Sequence, residues 1–155
     1  MRLKKNAYWW AAASLLLMIF IFVFSSFPAE QSAGMSGSFL DGPLALLERW
    51  FGVSVSPEVK DVLHNLLRKA AHLLIFVALG VCVANTVRHF TGRTKRVLLI
   101  SLCWCSFYAF TDELHQHFVP GRAAMWQDWA LDTAGALIGI GAVLLFLRRK
   151  RRREN

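Results

Sequence analysis

Cysteine is scarce in this chain, and its three copies, Cys82, Cys103 and Cys105, all sit inside apolar runs. An odd number of thiols, none in a polar segment, excludes a disulfide framework and a thiolate metal cluster; they read as small buried hydrophobes. Acidic residues are also few, ten Asp and Glu against 18 Lys and Arg. No HExxH stretch occurs, so the helical metalloprotease signature is missing. The absence of an internal repeat and the small number of helices argue against a transporter. No A-x-A-like site follows the first apolar run, and that run exceeds the roughly 7–15 apolar residues of a signal peptide. It reads as a retained anchor.

Apolar runs are what the chain has in plenty. Hydrophobic residues make up 55% of the 155 and the mean hydropathy is +0.41, above the usual share of a soluble domain. Three runs, Tyr8–Phe24, Ala70–Val87 and Trp129–Leu147, each approach the roughly 17–25 residues that a spanning helix needs. A fourth, Val97–Thr111, reaches that length if its helix continues into Asp112–Gln116. The expected fold is all-α: one membrane domain over 1–155, a four-helix bundle with spans near 8–24, 68–87, 97–116 and 128–147, and a basic tail over 148–155.

Charge sets the expected orientation. Threading four helices puts 13 of the 18 Lys and Arg on one side: Arg2, Lys4 and Lys5, the Arg88–Arg96 turn, and the Arg148–Arg153 tail. The positive-inside rule then places both termini in the cytoplasm, with the spans in a cytoplasmic membrane. Loop 25–69 and segment 112–128, with eight of the ten acids, fall outside. A basic tail that directly follows a span is explained by topology and anionic lipid, so no nucleic-acid partner is expected. Membrane lipids are.

The first outer segment, Ser25–Ser56, is rich in Gly and Ser and reads as irregular. Within it Leu44–Phe51 is expected to form a short interfacial helix. Ser56-Pro57-Glu58 is a helix start, which runs into the second span. Trp9, Trp10, Trp126 and Trp129 suit membrane boundaries.

The most informative stretch is Asp112–Arg122, which sits between two apolar runs and carries two carboxylates, two imidazoles, an amide and a guanidinium. Ionisable groups near hydrocarbon are costly unless paired, hydrated or functional. The topology brings Arg68, Lys69 and His72 from helix two to the same membrane level, with Asp128 and Asp132 from helix four. Helical spacing puts Asp112 with His115 and Gln116, and Glu113 with His117. Asp132, alone in an apolar run, needs a partner among Arg68, Lys69, His72 and Arg122.

Three readings of this set stay open. It is a structural polar network, a binding site for a polar or anionic envelope molecule, or a catalytic site. For ligand binding the residues are Arg68, Lys69, His72, Gln116, Arg122, Asp128 and Asp132. For catalysis they are Asp112 or Glu113 as base, His72 or His115 as acid and Arg122 as anion stabiliser. No cofactor is expected; the one alternative is a divalent metal on His72, Asp112 and His115, from the acid–x–x–His spacing of metal-binding bundles. Gly135 and Gly139 form a G-x-x-x-G pattern, read as close helix packing, with homodimerisation through that face as the alternative.

These residues resemble the VanZ-like family in three places: Phe24-Ser25-Ser26; Arg68-Lys69-Ala70-Ala71-His72 with Gly80; and Asp112-Glu113-Leu114-His115-Gln116 through Phe118-Val119-Pro120-Gly121-Arg122 to Asp128, Asp132 and Gly135. Two places depart. Phe76–Gly80 stands where the family often has Y-x-x-L-G, and Asp132 where it frequently has Asn, which allows pairing with Arg122. The family, named after a member associated with low-level teicoplanin resistance, consists of small bacterial membrane proteins. The resemblance implies a role at the cell envelope, near lipid-linked wall precursors and glycopeptides. An enzyme, a hydrolase or transferase acting on an envelope lipid, is the alternative.

Overall fold

A computed structural model describes residues 2–52 and 55–154. The side chains of 2–5, 29, 30, 33, 35, 36, 38, 39, 47 and 154 lie outside the description, and with them the basic N-terminal group of Arg2, Lys4 and Lys5. Five helices follow in order: α1 (Arg2–Ser25), α2 (Ala29–Phe51), α3 (Pro57–Arg88), α4 (Thr94–Gln116) and α5 (Trp126–Glu154). No strand occurs among the described residues.

Four of the helices, α1, α3, α4 and α5, are long and apolar enough to cross a membrane. They present large apolar side chains outward, including Leu16, Phe22, Leu99, Phe107, Ile138 and Phe146. A helix that is apolar on its outer face as well as toward its neighbours belongs in lipid. The bundle has α3 at its centre, packed on every other helix and most extensively on α5. Its core joins Ile21, Phe76, Leu79, Val83, Cys105, Ala109 and Ala136, and below them Ala84, Val97, Ile140 and Val143. Arg88, His89, Arg148 and Arg151 line one crevice, so the α3–α4 turn and the tail share an end.

Small residues set the α3–α5 distance. A Cβ on Gly135 would lie 2.7 Å from the Leu73 carbonyl oxygen; one on Gly139 would strike the Val77 carbonyl, and one on Gly80 the Ala136 carbonyl. The Gly135–Gly139 face is therefore covered by α3 of the same chain. The close helix packing expected of the G-x-x-x-G pattern is thus met within the chain.

The segment after α1 corrects an expectation. The expected irregular loop with a short helix over Leu44–Phe51 is one helix of 23 residues, α2, with Pro43 inside it. Gly37 explains part of this: a Cβ there would meet His64 at 3.3 Å, so the glycine admits α3 at close range. Tertiary packing thus offsets a helix propensity deficit of about 1 kcal/mol per glycine. Gly52 ends α2 in the left-handed region at φ 65° and returns its N–H to the Glu48 carbonyl, a stop that suits glycine. Glu48 then accepts the Val55 N–H at 3.1 Å and faces Lys60 at 3.5 Å, closing the α2–α3 hairpin. At about 1.5 Å per residue, the 32 residues of α3 measure roughly 48 Å, beyond the ~30 Å of a bilayer core. Its first turns, against α2, project past the spans.

Candidate functional site

The four spans meet at one end in a cluster of polar side chains that their own apolar neighbours have shielded. α4 contributes Asp112, Glu113 and Gln116, all buried; α5 contributes Asp132, 1% exposed; α1 contributes Ser25, with no exposure. The helical spacing puts Asp112 and Gln116 on one stripe, and the stripe faces α1. Gln116 Nε2 donates to Asp112 Oδ2 at 2.9 Å, and Ser25 Oγ donates to the same oxygen at 3.0 Å. Gln116 Nε2 also lies 3.4 Å from Ser25 Oγ. Across the bundle His72 Nδ1 lies 3.4 Å from Asp132 Oδ2. Lys69 pairs with Asp128.

Glu113 takes a different partner from the expected His117. Its Oε2 accepts the Met125 N–H at 2.9 Å, which ties the α4–α5 connection back onto α4. That connection turns at Val119-Pro120-Gly121-Arg122, with Gly121 at φ 74° and the Arg122 N–H donating to the Val119 carbonyl at 3.1 Å. Proline then glycine at positive φ is a tight-turn arrangement, and it delivers Arg122 beside Asp112, Glu113 and Arg68. Burial first, then the nearby Arg68, pulls the Arg122 guanidinium below its usual range; arginine stays charged all the same. Arg122 Nε and one terminal nitrogen are buried without a hydrogen-bond partner among the described residues.

Arg68, Lys69, His72, Glu113, Gln116, Asp128 and Asp132 line a cleft of about 10 Å³. That is room for about one water as the site stands. Four carboxylates in this end, on Asp112, Glu113, Asp128 and Asp132, meet three permanent cations, on Arg68, Lys69 and Arg122.

The structure chooses among the alternatives at three points. His115 sits at the rim of the cluster: its Nε2 is 3.0 Å from Ser26 Oγ and its ring stacks on Phe22 at 4.5 Å. Asp132 pairs with His72, one of the four partners open to it. The possible metal set changes with them: His72, Asp112 and Asp132 offer one ligand atom each, all within 4.8 Å of one another, and His115 is not among them. Ser25 is the residue that chemistry-based reading passed over; its only signal was its place at the exit of the first span.

The fold and this end define a multi-pass helical membrane protein whose polar centre lies where its spans converge. A model of the VanZ/LLP1 family matches residues 10–147, and the chain belongs to that family. No curated protein and no solved structure matches it.

Proposed function

We propose that the polar end of the bundle faces the outside of the cell and holds the phosphate-bearing head group of an envelope lipid or lipid-linked wall precursor. One observation carries this reading: half-buried Arg122 keeps Nε and one terminal nitrogen shielded and without a hydrogen-bond partner among the described residues, at the same end as the cleft that Arg68 and Lys69 line. Shielded guanidinium donors without hydrogen bonds are costly even with the Asp112 and Glu113 charges nearby, and the planar fork matches a phosphate. The basic residues of the opposite end support the orientation. Burial of an envelope precursor's head group would reduce what a glycopeptide of the teicoplanin type can reach, so a contribution to resistance follows from the same site.

The test uses the full chain in lipid nanodiscs and a long-chain polyprenyl phosphate, with the matching polyprenol as control, read by native mass spectrometry. Retention of the phosphate but not the alcohol supports the reading. Equal retention of both, or of neither, ends it.

A second reading, an enzyme acting on such a lipid, has its own support in the His72–Asp132 pair next to Asp112. An imidazole oriented by a buried carboxylate is the usual form of a positioned acid or base. Under this reading Asp132→Asn abolishes turnover of the phosphate lipid while leaving its retention within about twofold; loss of both together would return the pair to a binding role.

A further inference from the structure

We propose that His72, Asp112 and Asp132 hold a divalent first-row metal ion, Zn²⁺ or Mn²⁺, inside the polar end. The presence of the ion stands on the geometry alone; its use, to bridge a bound phosphate, rests on the head-group reading above.

Spacing is the first argument. His72 Nδ1 and Asp132 Oδ2 stand 3.4 Å apart, long for a charge-assisted hydrogen bond of about 2.7–2.9 Å. Two ligands of a tetrahedral ion with bonds of about 2.0–2.1 Å are roughly 3.4 Å apart. All three donor atoms lie within 4.8 Å of each other, so a shift of under about 1.5 Å brings them to the spacing of one ion's ligands.

Unused valence is the second. Asp112 and Asp132 are 3% and 1% exposed, and each keeps one carboxylate oxygen, Oδ1, with no hydrogen-bond partner among the described residues. Two buried carboxylates without bonds on these oxygens are costly as anions, and a cation between them offsets that cost. The permanent cations make no bond to these oxygens: Lys69 is paired with Asp128, Arg122 makes no hydrogen bond to either, and His72 balances the pair only when it is protonated.

Support from outside the ligand set is the third. Asp112 Oδ2 accepts from both Ser25 and Gln116, which fixes the carboxylate plane and leaves the other oxygen to point elsewhere. Hydrogen-bonded carboxylates of this kind are how proteins orient ligands to metals. One imidazole with two carboxylates suits Zn²⁺ or Mn²⁺ better than a hard ion such as Ca²⁺, which takes oxygen alone, or a thiolate-seeking one. Three protein ligands leave a position open toward the cleft lined by Arg68 and Lys69, where a water or a phosphate oxygen fits.

The test takes the untagged full chain, stripped with EDTA and titrated with ZnCl₂ or MnCl₂, with retained metal measured by mass spectrometry and bound Mn²⁺ by electron paramagnetic resonance. The expected result is one ion per chain, lost in His72→Ala and Asp132→Asn. Should either variant fail to fold, Ser25→Ala, which removes a donor but no ligand, is expected to bind about 10–100-fold more weakly. No stoichiometric ion on the wild-type chain overturns the proposal, as does unchanged affinity in folded His72→Ala or in Ser25→Ala. Polyprenyl phosphate retention is measured in parallel with and without EDTA. An ion without phosphate retention keeps the metal site and sinks the head-group reading; phosphate retention at full strength in EDTA, with no ion bound, does the reverse.

Discussion

Replacing Gly135 by alanine would place a methyl group 2.7 Å from the Leu73 carbonyl oxygen and 3.1 Å from Leu73 Cδ1. Ordinary contact begins near 3.4 Å, so α3 and α5 must separate by roughly 0.7 Å at this level, and a backbone carbonyl cannot swing aside as a side chain can. Overpacking of this kind costs about 1–3 kcal/mol. In a chain of this length each kcal/mol moves the melting temperature by about 2–4 °C. Leu73 is adjacent to His72, and Asp132 lies one turn before Gly135, so the same separation opens the His72–Asp132 pair. Thermal unfolding in one detergent, followed by circular dichroism, reads the stability. Gly141→Ala is the control, because a Cβ there meets nothing within 4 Å and alanine favours the helix by about 1 kcal/mol. Gly135→Ala is expected to melt several degrees below wild type and Gly141→Ala at or above it. A Gly135→Ala variant as stable as Gly141→Ala would refute the close α3–α5 packing on which the site's geometry depends.

Other consequences are narrower. His115→Ala is expected to leave polyprenyl phosphate retention and metal stoichiometry unchanged, because His115 faces Ser26 and Phe22 at the rim of the cluster; a tenfold loss in either would return it to the site. Gly52→Ala puts a Cβ at φ 65° and is expected to destabilise the end of α2 by about 1 kcal/mol, seen as faster amide exchange over 48–52 while the spans keep their protection. The Val55 N–H and then Lys60 hold the Glu48 carboxyl below its usual range. A lowered folded value means that this clasp is intact above the ordinary carboxylate range and is lost as pH falls through the lowered one. A carbon-detected titration of Glu48 is expected to show a midpoint below that of a free glutamate, moving upward in Lys60→Ala; a midpoint at the free value contradicts the clasp.

What could be read from residues alone follows the range of the forces involved. The four spans were legible because lipid imposes length and hydropathy on every residue of a crossing helix. The second helix was not, since its glycines and Pro43 signal loop locally and only His64, 27 positions away, shows why Gly37 is there. Charge placed Arg68, Lys69, His72, Asp112 and Asp128 at one level, yet it did not choose their partners. The His72–Asp132 and Lys69–Asp128 pairs join residues about 60 positions apart, and Ser25 reaches Asp112 across 87. Helix geometry itself separates His115 from Gln116. Positions three and four residues after Asp112 differ by about 100° around the axis, so Gln116 turns inward while His115 turns toward Ser26 and Phe22 at the rim. Ser25 carries too small and too common a side chain to stand out before its neighbour across the bundle is known.

The central claim, that this end of the bundle captures a phosphate through Arg122, is tested most directly by conservative change at that residue. Retention of polyprenyl phosphate in nanodiscs is measured for wild type, Arg122→Lys and Arg122→Gln, each first shown to be folded. Losing a charged hydrogen-bonding group is worth about 1.5–3 kcal/mol, or roughly 10–150-fold in affinity. Arg122→Gln is expected to lose that much for the phosphate and nothing for the polyprenol, with Arg122→Lys in between because it keeps the charge but not the fork. Equal phosphate affinity in all three proteins would contradict the account.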